Sequence, residues 1–236
     1  PQRPLITRRS LVQIQPPRPV TEAPGSSWRS FLRPAMVLEN KLGITASPDL
    51  QNAEERLSKM RAVELVTGNL LDEHTPGSFQ TLAFIHHHLF QDIYDFAGQL
   101  RRDDISKGGF RFASQLYLPE ALKAIERMPQ SSFDKILEKY VEMNVTHPFR
   151  EGNGRSMRIW FDHMLKTELG AVVDWSQIDK TDYLLAMERS PIKDTEIKHL
   201  LSKALTKETN DRQVYIKGID ASYAYEGYET FKAEDL

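Results

Sequence analysis

The sequence predicts an all-α domain, a helical bundle carrying one short β-hairpin. Three observations predict it. Apolar residues recur at helical spacing through nearly everything after about residue 48. Strands and helices do not alternate, and no internal repeat appears. The one departure is LRRDDISKGGFRFAS, residues 100–114, where Gly108-Gly109 separates two short extended pieces and reads as a hairpin or flap.

The elements follow in order. SPDLQNAEERLSKMRAVELV begins with Ser47 as a cap and Pro48 in the first turn, with acids early and bases later. SFQTLAFIHHHLFQDIYDFAG places Phe79, Leu82, Phe84, Ile85, Leu89, Phe90 and Ile93 near helical spacing, with Gly98 as the stop. LPEALKAIERM and SFDKILEKYVEMNVTH are two further amphipathic helices. NGRSMRIWFDHMLKTELG ends at Gly170, and KTDYLLAMERS and KDTEIKHLLSKALTKE continue the pattern.

The chain has 236 residues, enough to bury a real core, and is nearly balanced at 31 Lys+Arg against 33 Asp+Glu. That balance gives no electrostatic footprint for nucleic acid or an acidic membrane. With no cysteine there is no disulfide framework, thiolate metal site or thiol nucleophile, and a reducing, cytoplasmic compartment fits. No apolar run approaches a spanning length, and the first residues lack a signal-peptide core. Residues 1–35 differ from the rest: they hold seven of the 13 prolines and six arginines against one acid, Glu22. They read as a disordered leader, tag or upstream segment, with a basic docking arm as the alternative. Residues 36–236 form the domain.

HPFREGNGR, residues 147–155, lies between two helices and is chemically dense. Pro148 ends the first helix, since it lacks an N–H and restricts the residue before it. Phe149 is the apolar anchor of the loop. Gly152-Asn153-Gly154 lets the backbone turn and approach a ligand, and a glycine-rich turn feeding a helix N-terminus suits phosphate. Arg155 and Arg158, three apart, can reach phosphate oxygens from one side. Glu151 beside that nest would repel phosphate unless a hard cation such as Mg²⁺ bridged the two. His147 can accept a proton near neutral pH. These parts describe transfer of a phosphorus-centred group from a nucleotide to a nucleophile.

These nine residues with Arg158 resemble the Fic-domain signature HPFx[D/E]GNGRxxR at every specified position. The resemblance extends over roughly 36–236, and LFQDIYDFAGQLR before the flap is also similar to Fic proteins. It implies a Fic fold and a protein adenylyltransferase that moves AMP from ATP to a Ser, Thr or Tyr hydroxyl of a target protein. By it, His147 deprotonates the hydroxyl, Glu151 holds Mg²⁺, Gly152, Asn153 and Gly154 form the anion hole, and Arg155 and Arg158 hold the β- and γ-phosphates. The hairpin resembles the flap that pairs with the target by strand addition, which implicates Ile105, Ser106, Lys107, Gly108, Gly109 and Phe110. SYAYEG, residues 222–227, resembles the inhibitory pattern [S/T]xxxE[G/N]. It implies an inhibitory helix at about 220–229 in which Ser222, Glu226 and Gly227 act and Glu226 pairs with Arg158. Relatives add removal of AMP, homo-oligomer-dependent release and self-modification at Tyr223, Tyr225 or Tyr228. The alternatives are a kinase-like phospho-transfer variant and a non-catalytic partner-binding helical module.

Other features read as structural. Three consecutive histidines, His86-His87-His88, point about 100° apart on a helix and cannot converge on one ion, so they read as surface and packing. Arg101 and Arg102 read as solvated charge, with a part in ATP or target binding as the alternative, and Trp160 and Trp175 as packing residues.

Overall fold

A computed structural model describes residues 37–107 and 110–236. The leader and Trp28 therefore lie outside the described residues, as do Gly108 and Gly109 and the side chains of Lys107 and Phe110. Eight α-helices are described: α1 (Ser47–Thr67), α2 (Phe79–Phe90), α3 (Leu118–Glu126), α4 (Phe133–Thr146), α5 (Asn153–Leu169), α6 (Lys180–Arg189), α7 (Thr195–Lys203) and α8 (Arg212–Ala224). The all-α architecture with a hairpin flap is as the sequence predicts.

Helix α5 is central. It packs against α2 and α4, and Trp160, Phe161, Met164 and Leu165 on it have no measurable exposure. Burial of each such side chain contributes roughly 1.5–3 kcal/mol. Its C-terminus closes on Gly170 at φ 56°, whose N–H bonds to the carbonyls of Leu165 and Lys166. Ser132 caps α4 and Ser78 caps α2 through their hydroxyls.

Two boundaries differ from expectation. Ser47 is the first residue of α1 rather than its cap; Ala46 holds that position and offers no side-chain bond. Helix α2 stops at Phe90, and residues 91–97 wind on as turns before Gly98 at φ 78°. The reason is tertiary: the N–H of Gly98 bonds to Nδ1 of His86, which reels the chain back onto the helix it left.

The flap pairs β1 (Ser106–Lys107) with β2 (Phe110–Arg111) in antiparallel register, Ser106 opposite Arg111. A second two-stranded ribbon, unforeseen in the sequence, pairs β3 (Val172–Val173) with β4 (Leu205–Thr206). It closes the chain after α5 onto the end of α7.

Helix α8 lies against α1 and the turn Trp175–Gln177. The residues beyond it fold back along a polar strip of α1. Lys59, 1 % exposed, donates to Asp220 and to the carbonyl of Phe231, and Glu55 accepts from the N–H of Phe231. The hydroxyl of Tyr223 donates to Ser58.

Candidate active site

Helix α4 delivers His147 at its C-terminus. The residue takes a left-handed conformation, φ 48°, which non-glycine residues rarely adopt and which is typical of functional sites. Its Nδ1 lies 3.3 Å from the carbonyl of Asn144, and a carbonyl can only accept. That places the ring proton on Nδ1 and the lone pair on Nε2, the tautomer a general base needs. Phe112 of the flap stacks on the ring at 3.7 Å between centroids.

The loop 148–152 is held from three sides. Asn153 accepts from the N–H of Phe149 and donates to its carbonyl, closing the loop on itself. The Asn153 amide is thereby engaged inside the protein. Only its backbone N–H is left to face a ligand, as at Gly152 and Gly154. Phe149 is fully buried and stacks on His86 at 3.9 Å. Gly152 takes φ 73° over the ring of Phe90, so closely that a β-carbon could not be placed there.

Arg101 corrects the reading of RR as solvated charge. It is 5 % exposed and donates from Nε to the carbonyl of His147 at 2.8 Å, and from its other nitrogens to the carbonyls of Asp103, Ala113 and Thr146. One guanidinium thus ties both roots of the flap to the backbone of His147. Arg102 is exposed, as read.

His147, Glu151, Gly152, Asn153, Gly154 and Arg158 line one cavity of about 620 Å³, with Ile105, Ser106 and Phe112 of the flap on its rim. That volume suits a nucleotide-sized ligand. The first N–H groups of α5 have no intrahelical acceptors and carry the positive end of the helix dipole.

Arg155 does not line this cavity. It is 1 % exposed and lies behind the cradle, donating to Glu54 at 2.7 Å and to Glu151 at 3.3 Å. Its guanidinium carbon lies 4.8 Å from the ring centroids of Phe90 and Tyr228. The expectation that both arginines reach phosphate from one side thus fails for Arg155. The two guanidiniums are neighbours, as their spacing requires, but a carboxylate from α1 draws Arg155 inward and leaves only Arg158 on the cavity wall. Burial works against its charge, but Glu54 and Glu226 outweigh it and hold its pKa above the ordinary arginine range.

Arg158 meets the C-terminal segment. Its Nε donates to the Ser222 hydroxyl at 2.6 Å, and one terminal nitrogen donates to the Ser222 carbonyl at 2.8 Å and to Glu226 at 2.7 Å. The second oxygen of Glu226 lies 2.9 Å from Nε of Arg155, an ionic contact off the N–H direction. Glu226 therefore bridges two arginines where one was expected. Nor does it lie in the helix: α8 ends at Ala224, and residues 225–227 close it as a tighter turn ending at Gly227, φ 90°. Ser222 and Glu226 still converge because that turn keeps helical handedness.

Glu151 is half-buried at the cavity wall. Its Oε1 accepts from the N–H of Gly152 at 2.9 Å and from Arg155, and Oε2 has no hydrogen bond among the described residues. Burial pushes its pKa up, against the pull of Arg155, with Glu54 and Glu226 pushing further up. No group of three metal-ligating side chains exists among the described residues. One carboxylate at a phosphate cradle nevertheless fits Mg²⁺, which commonly takes one or two carboxylates with substrate phosphates and water.

Sequence reasoning missed His86. It is fully buried, accepts from Gly98 at Nδ1 and contacts the carbonyl of Glu151 through Nε2 at 2.8 Å. Burial drives its pKa from 6.5 down to about 3. A depressed histidine contributes stability present above pH 6.5 and lost progressively as pH falls towards 3. Urea unfolding is expected to show the parent chain losing more stability than His86→Gln between neutral pH and about pH 4. Equal losses would contradict the assignment.

The hydroxyls of the three C-terminal tyrosines are all engaged: Tyr223 with Ser58, Tyr225 with the carbonyls of Trp175 and Ile178, and Tyr228 with Glu54. Self-modification at any of them requires this segment to leave its seat.

The Fic/DOC family profile matches residues 76–165, the span from the α2 cap through nearly all of α5. A relative from Salmonella typhimurium, described as a probable protein adenylyltransferase Fic, is 30 % identical over 196 residues, covering 78 % of this chain and 95 % of that protein. The chain belongs to the Fic/DOC family. The protein adenylyltransferase VbhT of Bartonella schoenbuchensis is also 30 % identical, over 75 % of this chain and 39 % of its own length. Among solved structures, BepC of Bartonella tribocorum with bound AMPPNP superposes with a TM-score of 0.59 at 20 % identity, covering 74 % of this chain and 94 % of that one. This likeness concerns the Fic fold. No helix among the described residues is long and apolar enough to cross a membrane.

Proposed function

We propose that this Fic protein transfers AMP from ATP to a hydroxyl side chain of a target protein, and that residues 222–227 restrain it. The observation that carries the reading is the convergence of His147, Glu151 and the N-terminus of α5 on one cavity beneath the flap. The naming of a 30 % identical relative as a probable adenylyltransferase supports the same chemistry.

In this reading the target segment lies along the flap, at Ile105 and Ser106, and presents its hydroxyl to Nε2 of His147. The imidazole takes the proton as the oxygen attacks the α-phosphorus. The bond to the bridging oxygen of the β-phosphate breaks, and pyrophosphate leaves. The N–H groups of Gly152, Asn153 and Gly154 receive charge on the phosphates, and Arg158 reaches the terminal phosphate once Glu226 withdraws. Glu151 would hold Mg²⁺, which when bound would neutralise charge on the departing group. Arg155 acts indirectly, holding Glu151 in place from behind.

The restraint is supported by the Glu226–Arg158 contact: a carboxylate takes the donors a γ-phosphate would use. Glu226 also lines the cavity, so it can orient a water against an AMP-modified target, and removal of AMP is the second activity we propose. Homo-oligomer exchange as the trigger, self-modification after α8 undocks, and a cytoplasmic setting are further proposals that rest on the sequence.

Incubation with ATP labelled at the α- or the γ-phosphate tests the reaction. Label from the α-position alone is expected on target protein; label from the γ-position would instead establish a kinase-like variant. A Glu151→Gln change is expected to raise the Mg²⁺ needed for half-maximal rate by roughly tenfold or more, with adenosine binding unaltered. An unchanged Mg²⁺ requirement would remove Glu151 from the metal.

A further inference from the structure

The carbonyl and N–H of one trans peptide point in opposite directions. That rule gives the contact between His86 and the Glu151 carbonyl a consequence for the cavity. The N–H of Gly98 can only donate, so Nδ1 of His86 is its acceptor and Nε2 carries the proton. Nε2–H therefore donates to the carbonyl of Glu151 at 2.8 Å, across 65 residues of chain. With that carbonyl drawn down onto α2, the N–H of Gly152, in the same peptide, must face up. An anionic oxygen meets that N–H: Oε1 of Glu151, a residue of the cavity wall, at 2.9 Å. The ring itself cannot drift, because Phe149 stacks on it at 3.9 Å and Phe90 lies at 4.8 Å.

We propose that His86 is a positioning residue that fixes the Glu151–Gly152 peptide so that the N–H of Gly152 points into the phosphate cradle. The inference rests on the reading of the cradle as a nucleotide-phosphate site. His86 touches no reacting atom. It acts through one peptide, whose donor meets the Glu151 carboxylate in this state and would serve a phosphate oxygen once that carboxylate turned away. Without the Nε2–H donor this glycine-bearing peptide can flip, turning an acceptor towards the phosphates.

Two near-isosteres separate the roles of the ring nitrogens. Glutamine places an amide N–H near the position of Nε2, whereas asparagine reaches only to the position of Nδ1. In a Glu226→Gly background, calorimetry with ADP and adenosine measures the affinity that the phosphates add. His86→Gln is expected to retain that increment. His86→Asn is expected to lose about tenfold or more of it, with adenosine affinity unchanged and AMP transfer down about 10²-fold. A full increment in a folded His86→Asn protein would overturn the proposal. Nitrogen-15 NMR of the chain with native His86 gives a second arm that does not depend on how the variants fold. A protonated Nε2, and a Gly152 amide that shifts on ADP addition, are expected; a protonated Nδ1 or an unmoved Gly152 amide would overturn the assignment. If the Glu226→Gly protein with native His86 binds ADP no better than adenosine, the cradle reading itself fails, which is a different result.

Discussion

A Glu226→Gly variant is expected to transfer AMP roughly 10- to 100-fold faster than the parent chain at saturating ATP and Mg²⁺. The magnitude follows from what the carboxylate holds. Hydrogen bonds to charged groups are worth about 1.5–3 kcal/mol net, and about 1.4 kcal/mol is tenfold in rate or equilibrium. The arginines are left in unequal states. Arg155 keeps Glu54 at 2.7 Å as an ion-pair partner, whereas Arg158 loses its hydrogen-bonded carboxylate and keeps the hydroxyl and carbonyl of Ser222 and the Tyr183 side chain. Its charge is then available to a γ-phosphate. The same change is expected to lower the melting temperature without nucleotide, because a buried arginine loses its counter-charge, and ATP with Mg²⁺ should restore most of it. Incorporation of α-labelled AMP measured beside thermal unfolding checks both. A folded variant no faster than the parent would mean that Glu226 does not restrain the enzyme.

In the de-repressed background, His147→Ala is expected to reduce AMP transfer by about 10³-fold while ADP affinity changes little. General-base removal ordinarily costs 10²–10⁴-fold, and in the proposed reading the tautomer set by the Asn144 carbonyl makes His147, on the cavity wall, the base. Alanine at φ 48° adds backbone strain, so His147→Asn is the companion variant: asparagine tolerates left-handed backbone but cannot take the proton. Both variants should be equally slow. If asparagine restores activity, the role of His147 is conformational rather than chemical.

What was legible in the sequence is what is encoded locally. The Gly152-Asn153-Gly154 turn, the helix end at Pro148 and the left-handed stop at Gly170 are set by residues within a turn of one another. So is the shared face of Ser222 and Glu226, which both meet Arg158 although α8 ends at Ala224. What was not legible depends on residues far apart in the chain. The partner of Arg155 is Glu54, 101 residues upstream, and no spacing rule connects them. His86 lies in a run of three histidines, and only the packing of α2 decides which one faces inward. Arg101 and Arg102 are indistinguishable by composition, yet one is clamped under the flap and the other meets solvent. The β3–β4 ribbon has two residues per strand, too few for any period to show.

Gly154 carries a final consequence. A β-carbon at position 154 would lie closer to Oε1 of Glu226 than van der Waals contact allows, over the first turn of α5, so the carboxylate would have to shift. In the proposed reading, the bare α-carbon that makes room for phosphate is also the one that makes room for the restraining carboxylate. A larger residue at 154 is expected to crowd Glu226 and the nucleotide together. Loss of restraint with retained catalysis is therefore not expected to arise at this floor of the site. Such escape variants, if selected, should cluster in the C-terminal segment and along the α1 strip that seats it, and leave the signature loop intact.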